Sequence, residues 1–300
     1  MTRMLVGADV GGTKTAVAVM RNGEIIGRAD GPGAAIRPGR ALASAATIAD
    51  TVRRALSAAG ALQGDVLVVG AAGAGRATEA RELQQALRAE SVARAVVVTT
   101  DIAIALEGAL GAEAGIVLAA GTGSIAIARD GTGATIRAGG HGWQMGDEGS
   151  GYAIGRAALG AVSRAADGRG AETTLSARLL DATRSEDFDG LVRWTATAGP
   201  PEVAALAPHV LAAAADGDAT ARAIVHYAAE ELAGLVLHLR RQLDVEAPTV
   251  ALTGGLLMNP LLRDALEARL KKDGVPPTPG EIDAVGGALR MAGQVAESRT

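Results

Sequence analysis

Three short glycine-containing turns, each directly after an apolar segment, are the parts of this sequence best suited to bind a charged ligand. They lie at Asp9-Val10-Gly11-Gly12-Thr13-Lys14, Ala120-Gly121-Thr122-Gly123-Ser124 and Thr253-Gly254-Gly255. Glycine lets backbone N–H groups approach an anion closely and adopt positive φ, so such turns can hold phosphates. Each could equally be a simple tight turn, because short glycine motifs often occur without a ligand.

Two better-known phosphate motifs do not fit these turns. A Walker motif needs Gly followed directly by Lys, whereas Thr13 separates Gly12 from Lys14, and a strand rather than a helix is predicted next. The second turn matches the dinucleotide fingerprint loosely, but a strand and a hairpin follow it and no acid lies at the ribose-binding distance. A nicotinamide-dependent dehydrogenase is therefore disfavoured.

Phosphoryl transfer would use these turns better. That reaction needs hydrogen-bond donors on the phosphate oxygens, a Mg²⁺ ion and a base that orients the attacking hydroxyl. Thr13 and Lys14 could contact the phosphates from one side and Thr122 from the other, while Asp9 could hold Mg²⁺ directly or through water. Lys14 could instead be a solvated surface charge.

Asp101 is the candidate base. It follows a predicted buried strand at residues 95–98, and open α/β sheets bind their ligands at the carboxyl ends of such strands. However, Asp is also a preferred helix N-cap, and a helix is predicted for residues 102–110. The residues alone leave both roles open.

The densest run of glycine and polar residues is a predicted loop at residues 139–151. Its chemistry-bearing side chains include His141, Trp143, Asp147 and Glu148. Such a set can hydrogen-bond several hydroxyls and stack on the face of a sugar. The same segment could form a helix entrance capped by Asp147, Glu148 or Ser150, and a metal site is disfavoured because His141 is the one nearby imidazole.

The elements that must position these residues follow a repeated pattern. The order strand, glycine turn, strand, hairpin turn, strand occurs at residues 5–29 and again at 115–138, and Asn22-Gly23 is a strong hairpin signal. Ala-rich helix fills most of residues 149–244, a last buried strand covers 249–252, and Asp283 can cap a closing helix. We predict two similar α/β domains with a boundary near Asp101; one larger α/β domain is the alternative.

Composition narrows the possible partners. The formal net charge is −4 with mixed signs along the chain, and aromatic residues make up 2% of it, so nucleic acid and anionic membrane are disfavoured partners. The absence of Cys excludes disulfides and iron–sulfur ligation. The apolar run at the start is too short for a signal peptide, so we expect a cytoplasmic protein that binds a small molecule. Monomer and homodimer both stay open.

Four segments together resemble the BadF/BadG/BcrA/BcrD ATPase family. They are Gly7-Ala8-Asp9-Val10-Gly11-Gly12-Thr13-Lys14-Thr15, the second turn, Gly146-Asp147-Glu148-Gly149-Ser150-Gly151 and the third turn, in this order and spacing. Within that family the chain is most similar to the N-acetylglucosamine kinase and glucosamine kinase branch. The resemblance implies the duplicated actin-like ATPase fold, with ATP and Mg²⁺ between domain 1–101, on which a closing helix 283–298 packs, and domain 102–282.

The resemblance also implies roles for individual residues. Asp101 corresponds to the catalytic base, and Gly254 and Gly255 should face the adenosine. By resemblance, the nucleotide would further contact Thr13, Thr122 and Gly217, and the sugar Ser124 and Asp147. The chemistry of the turns adds, as candidate contacts of the nucleotide or its Mg²⁺, Asp9, Gly11, Gly12, Lys14, Gly121 and Gly123. The chemistry of the loop adds, as candidate sugar contacts, His141, Gly142, Trp143 and Glu148.

Two departures from the family pattern concern the acceptor. Related hexosamine kinases usually carry Asn in the loop after the third strand, where this chain has Ala35, and His141 stands where they usually have Trp. The family also contains ATPase activators that need cysteines for a bridging iron–sulfur cluster, which this chain lacks. The sequence thus predicts an ATP-dependent kinase of a small sugar, with an amino sugar as the expected acceptor; an ATPase or ATP-binding regulator without kinase activity is the alternative.

Overall fold

A computed structural model describes residues 3–299, and these residues divide into two compact units. The described residues up to Glu113 and from Glu281 onward form the first unit, and Ala114–Gly280 form the second. Helix α3 (Asp101–Leu110) packs on the closing helix α11 (Ala284–Glu297) within the first unit. The boundary that we predicted near Asp101 falls at the beginning of α3 and thus inside the first unit, which continues to Glu113.

The first unit is built on a five-stranded mixed sheet with helices on both faces. Its strands are β1 (Met4–Val10), β2 (Lys14–Arg21), β3 (Glu24–Pro32), β4 (Gly64–Ala71) and β5 (Ala93–Thr100), in the order β3-β2-β1-β4-β5. Strands β1, β4 and β5 run parallel, and β2 and β3 are antiparallel to their neighbours. Asn22 and Gly23 both have positive φ, as the predicted hairpin turn requires.

Alternation along the central strand explains the two helical layers. Leu67 and Val69 of β4 point into the core under helices α1 (Ala41–Ala58) and α2 (Ala77–Ala89). Val66 and Val68 point into the opposite core, under α3 and α11. Because successive side chains of a strand face opposite sides, an unbroken apolar run is what a strand covered on both faces needs.

The second unit repeats the plan of the first. Its four-stranded sheet contains β6 (Gly115–Ala120), β7 (Ser124–Arg129), β8 (Thr135–Gly139) and β9 (Thr249–Thr253), in the order β8-β7-β6-β9. Strand β9 runs parallel to β6, as β4 does to β1. The repeated strand order predicted from the sequence is confirmed, and the first and second glycine turns each connect the first two strands of a unit.

Helices fill most of the second unit between β8 and the end of the unit. They are α4 (Gly151–Ala166), α5 (Leu175–Thr183), α6 (Phe188–Thr195), α7 (Pro200–Ala204), α8 (Ala207–Ala215), α9 (Ala219–Gln242) and α10 (Pro260–Lys272), with a 3₁₀ helix at Gly255–Met258. One continuous apolar core includes Ile116 of β6, Ile154 of α4 and Leu232 of α9. Within residues 3–299, no helix combines the length and the apolar character needed to cross a membrane.

Candidate active site

Two carboxylates lie at the same edge of the first sheet. Asp9 is next to the last residue of β1 and pairs in register with Gly70 of β4, which in turn pairs with Thr99 of β5. Asp101 directly follows β5, two residues after Thr99. Burial, together with the negative charge of Asp101, raises the pKa of Asp9 from 3.8 to about 6, although Lys14 acts in the opposite direction.

Asp101 is not the residue that caps helix α3. The hydroxyl of Thr100 accepts the N–H of Ala103 at 3.2 Å, so Thr100 is the N-cap. The Oδ1 atom of Asp101 accepts the N–H of Ile102 at 2.9 Å. Burial raises the pKa of Asp101, against the effect of that hydrogen bond. The capping role that competed with catalysis in the sequence thus belongs to its neighbour.

The first glycine turn is braced by the loop after β3. The N–H of Gly11 donates to the carbonyl of Lys14 at 2.9 Å, and the N–H groups of Ala34 and Ala35 donate to the carbonyl of Gly11 at 3.1 and 3.2 Å. Within residues 3–299, the N–H groups of Gly12 and Thr13 donate to no protein group. Two consecutive free amides form the kind of concavity that binds an anion.

The ammonium group of Lys14 forms an ion pair with a neighbouring carboxylate. Its Nζ lies 3.0 Å from Oδ1 of Asp30, and both side chains are more than half exposed. Exposed pairs of this kind contribute roughly 0–1 kcal/mol. A phosphate could therefore replace Asp30 at little cost.

The second turn repeats the first in its hydrogen bonding. The N–H of Gly121 donates to the carbonyl of Gly123 at 2.9 Å, while the N–H groups of Thr122 and Gly123 donate to no protein group in the described part of the chain. Helix α4 begins directly beneath this turn. The N–H of Gly151 donates to the carbonyl of Gly121 at 2.8 Å, and that of Tyr152 to the carbonyl of Thr122 at 3.2 Å.

Positive φ, expected of glycine turns that hold phosphates, occurs in the third turn and not in the first two. Gly11, Gly12, Gly121 and Gly123 have negative φ, whereas Gly254 has φ of 103°. A Cβ on Gly254 would also stand 2.2 Å from the carbonyl oxygen of Ala120, so the end of β9 can approach β6 only with glycine there. Gly255 follows as the first residue of the 3₁₀ helix.

Gly217 lies between α8 and α9, with φ of 100°. The next residue, Asp218, caps α9 and also accepts hydrogen bonds from Thr173 and Thr174, before α5. Burial alone would raise the pKa of Asp218, but the hydrogen bonds from Ala221, Thr173 and Thr174 lower it to about 2. A single carboxylate thus fixes the backbone beside Gly217.

The loop at residues 139–151, the acceptor loop from here on, is attached to the second turn by two hydrogen bonds. Oδ1 of Asp147 accepts the N–H of Ser124 at 3.3 Å, and the hydroxyl of Ser124 donates to the carbonyl of Glu148 at 2.6 Å. The side chain of Ser124 is 3% exposed, and its one hydroxyl proton is donated to the carbonyl of Glu148. The geometry gives Ser124 a positioning role in the loop.

Asp147 stands at the junction of the loop and the turn. Its φ is 60°, and a Cβ on Gly123 would lie 2.8 Å from its Oδ1. Burial and the charge of Glu148 raise the pKa of Asp147, while the Ser124 N–H and His141 lower it. Burial is the largest of these effects.

The rest of the acceptor loop is more open. His141, Trp143 and Glu148 are exposed and Gly142 is partly buried, with its carbonyl accepting the N–H of Gly146 at 2.8 Å. Of the three capping candidates for α4, Ser150 is the cap, because its hydroxyl accepts the N–H of Ala153 at 3.2 Å. The ring centroids of Trp143 and Tyr152 are 5.3 Å apart. Tyr152 was not singled out from the sequence.

Both turns suit phosphate oxygens, since each offers two free amides and a threonine hydroxyl. Asp9 supplies a carboxylate oxygen, the ligand type that Mg²⁺ prefers. No group of three or more metal-ligating side chains occurs in residues 3–299, so Mg²⁺ would be held chiefly by phosphates and water. The first unit therefore contains a candidate base and a candidate phosphate turn, and the second contains a candidate phosphate turn with the acceptor loop.

Comparison with known proteins identifies relatives over nearly the whole chain. The sequence profile of the BadF/BadG/BcrA/BcrD ATPase family matches residues 6–292. The N-acetylmuramic acid/N-acetylglucosamine kinase of Clostridium acetobutylicum is 33% identical over 197 residues. The match covers 64% of this chain and 64% of that kinase, so the chain spans just under two thirds of the length of this relative. The glucosamine kinase of Vibrio cholerae is 28% identical over 96% of this chain and 95% of its own.

A crystal structure gives the same result for the fold. The candidate N-acetylglucosamine kinase of Chromobacterium violaceum superposes with a TM-score of 0.83 and 31% identity, over 97% of this chain and 99% of that one. The predicted fold class is confirmed: the chain has the duplicated actin-like ATPase fold of sugar kinases.

Proposed function

Because the chain belongs to the BadF/BadG/BcrA/BcrD ATPase family, we propose that it is an ATP-dependent kinase that phosphorylates a hydroxyl of an amino sugar. The observation that carries this proposal is the matched pair of turns. Each presents two consecutive free amides and an exposed threonine, Thr13 in one and Thr122 in the other.

The roles of the residues follow from their chemistry. The amides of Gly12, Thr13, Thr122 and Gly123 bind phosphate oxygens, and Lys14 exchanges Asp30 for a phosphate. Asp101 accepts the proton of the attacking hydroxyl, for which its burial and raised pKa make it a better base than an exposed aspartate. Asp9 holds Mg²⁺, which neutralises charge on the phosphates.

The acceptor is assigned from two sources. The relatives named above are kinases of N-acetylglucosamine, N-acetylmuramic acid or glucosamine, and the acceptor loop presents Asp147, Glu148 and His141 beside an exposed indole. Aromatic faces and hydrogen-bonding groups of this kind suit a polyol ring. We place the reaction in the cytoplasm, where ATP is available.

A coupled ADP-release assay tests this function. Glucosamine, N-acetylglucosamine, N-acetylmuramic acid, glucose and simple polyols are each offered with ATP and Mg²⁺, and the Asp101→Asn variant serves as the control for contaminating kinases. At least one hexosamine should stimulate ADP release by the wild type. If ADP appears at the same rate without any sugar, the chain is an ATPase, and if no sugar has an effect, the amino-sugar assignment is wrong.

A further inference from the structure

A large groove in the second unit continues away from the acceptor loop. It has a volume of about 1370 Å³ and runs along α4, with α9 as the opposite wall and α7 at its side. Sites for drug-sized ligands usually measure about 300–1,000 Å³. The groove is therefore much larger than one sugar ring requires.

Aromatic residues concentrate in this groove. The chain has five aromatic residues in all, and three of them, Trp143, Tyr152 and Tyr227, line it. Trp143 and Tyr227 are 44% and 65% exposed, so they contribute little to the core. Aromatic rings with a polar tip provide flat contact area for amide groups and sugar faces at low entropic cost.

Positive charge lies along one wall of the groove. Arg156 and Arg164 of α4 both line it, and eight residues of helix separate them by about 12 Å. Both are exposed, and neither has an ion-pair or hydrogen-bond partner in the side chains that the structure describes. Glu148 stands at the loop end of the groove, so the charge becomes positive with distance from the acceptor loop.

The groove and the acceptor loop share residues. Trp143, Gly146, Glu148 and Gly149 belong to both, and Asp147 lies between two of them in the chain. A ligand bound at Asp147 would therefore have the groove open beside it. A chain attached to the ring could extend along α4 toward the guanidinium groups.

We propose that the groove binds a substituent of the acceptor, namely an extended chain with amide groups and a terminal carboxylate, such as a short acidic peptide attached to an amino sugar. This inference rests on the proposed function, since it assumes an amino sugar at the acceptor loop. Trp143, Tyr152 and Tyr227 contact the amides, and Arg156 and Arg164 bind the carboxylates. Guanidinium groups are well suited to that task because they bind carboxylates through two parallel hydrogen bonds.

The kinetic test compares acceptors with and without such a chain. N-acetylglucosamine and N-acetylmuramoyl-L-alanyl-D-isoglutamine are compared in the ADP-release assay with wild type, the Arg156→Gln/Arg164→Gln double variant and Arg241→Gln. Arg241 is the matched control, because it is an exposed arginine near the far end of α9, outside the groove. The double variant should lower kcat/KM for the peptide-bearing acceptor about 10- to 100-fold, mainly through KM, and change it less than twofold for N-acetylglucosamine. Equal effects on both acceptors, or none on either, would overturn the proposal.

A binding measurement separates this inference from the proposed function. Trp143 fluorescence is titrated with the same two compounds, and Trp143→Phe identifies the contribution of Trp194. Saturable quenching by the peptide-bearing compound that the double arginine variant weakens at least tenfold supports the groove site even if no sugar is phosphorylated. Absence of such quenching contradicts it even if hexosamines are phosphorylated. A dimer in sedimentation equilibrium that the double variant converts to monomer would assign the groove to a second copy of the chain and overturn the proposal.

Discussion

Replacing Asp9 by Asn should stabilise the ligand-free protein and impair its reaction at the same time. The pKa of Asp9 is raised from 3.8 to about 6, first by burial and then by the charge of Asp101. The pKa of Asp9 thus rises by about two, and a rise of one in pKa corresponds to about 1.4 kcal/mol. Ionised Asp9 therefore lowers the free energy of unfolding by roughly 3 kcal/mol at neutral pH. Asn carries no charge and removes that cost.

The sign of the pH dependence follows from proton binding. The folded protein binds the Asp9 proton more tightly than the unfolded chain does, so this contribution to stability is complete below pH 3.8 and is lost as the pH rises to about 6. The Asp9→Asn variant should match the wild type near pH 4 and exceed it by up to about 3 kcal/mol at pH 7.5. No residue in 3–299 donates a hydrogen bond to the Asp9 carboxylate, so Asn loses no such partner.

Urea unfolding followed by circular dichroism, in EDTA and at pH values from 4 to 8, measures this difference. Asp50→Asn is the matched control, because Asp50 lies on the exposed side of α1 in the same unit and has a solvent-exposed ion pair with Arg54. In parallel, kcat/KM for ATP should fall about 10- to 100-fold in the Asp9→Asn variant, the usual effect of removing an indirect metal ligand. A variant that is less stable than wild type at pH 7.5, or a stability difference that does not change with pH, would refute this reasoning.

Four further substitutions test separate parts of the site. Asp101→Asn should lower kcat about 100-fold with the KM for ATP within twofold, and near-normal turnover would remove Asp101 from catalysis. Thr122→Val should reduce kcat/KM for ATP by the equivalent of about 1–3 kcal/mol, whereas an unchanged value would place the second turn away from the phosphates. Gly123→Ala should raise the acceptor KM about tenfold by displacing the nearby carboxylate, while Gly131→Ala, which has open space, should have no effect. Asp218→Asn should cost about 1–3 kcal/mol in urea unfolding at pH 7, and less toward pH 2, because its lowered pKa adds stability above pH 3.8 that is lost as the pH falls to about 2; an equal loss at both pH values would contradict this.

The cost of ionised Asp9 to stability indicates that the carboxylates at the ends of β1 and β5 have a functional role. Replacing a buried carboxylate that has no hydrogen-bond donor by a neutral residue is normally favourable for folding. The chain nevertheless places Asp9 and Asp101 at the same edge of the first sheet. A site that must hold Mg²⁺ and accept a proton gives a physical reason for this arrangement.

Short-range patterns in the sequence predicted the elements well. The apolar run at residues 115–120 became β6, the Asn22-Gly23 turn took positive φ at both positions, and Asp283 caps α11 through the N–H of Gly286. Each of these features depends on a few neighbouring residues. Local backbone preferences and the period of the apolar residues therefore suffice to predict them.

The functions of single side chains were harder to predict, because they depend on partners far along the chain. The sugar contact expected of Ser124 stays a prediction, and its hydroxyl donates to the backbone carbonyl of Glu148, 24 residues away. The phosphate contact expected of Lys14 stays a prediction, and its ammonium group pairs with Asp30 in the structure. The sequence left open whether Asp101 caps α3, and in the structure the hydroxyl of Thr100 is the cap.

By itself, the sequence determined the duplicated fold and the position of each candidate residue at a strand end or a turn, since spacing along the chain sets both. The tertiary structure decided which groups are free to act. The pKa of Asp9 near 6 and the meeting of three aromatic residues along α4 arise from contacts between distant segments, and the amides of the two turns are unpaired because no segment within residues 3–299 supplies an acceptor for them. Burial and hydrogen-bond satisfaction depend on every neighbouring element at once, so they appear only when the chain is folded.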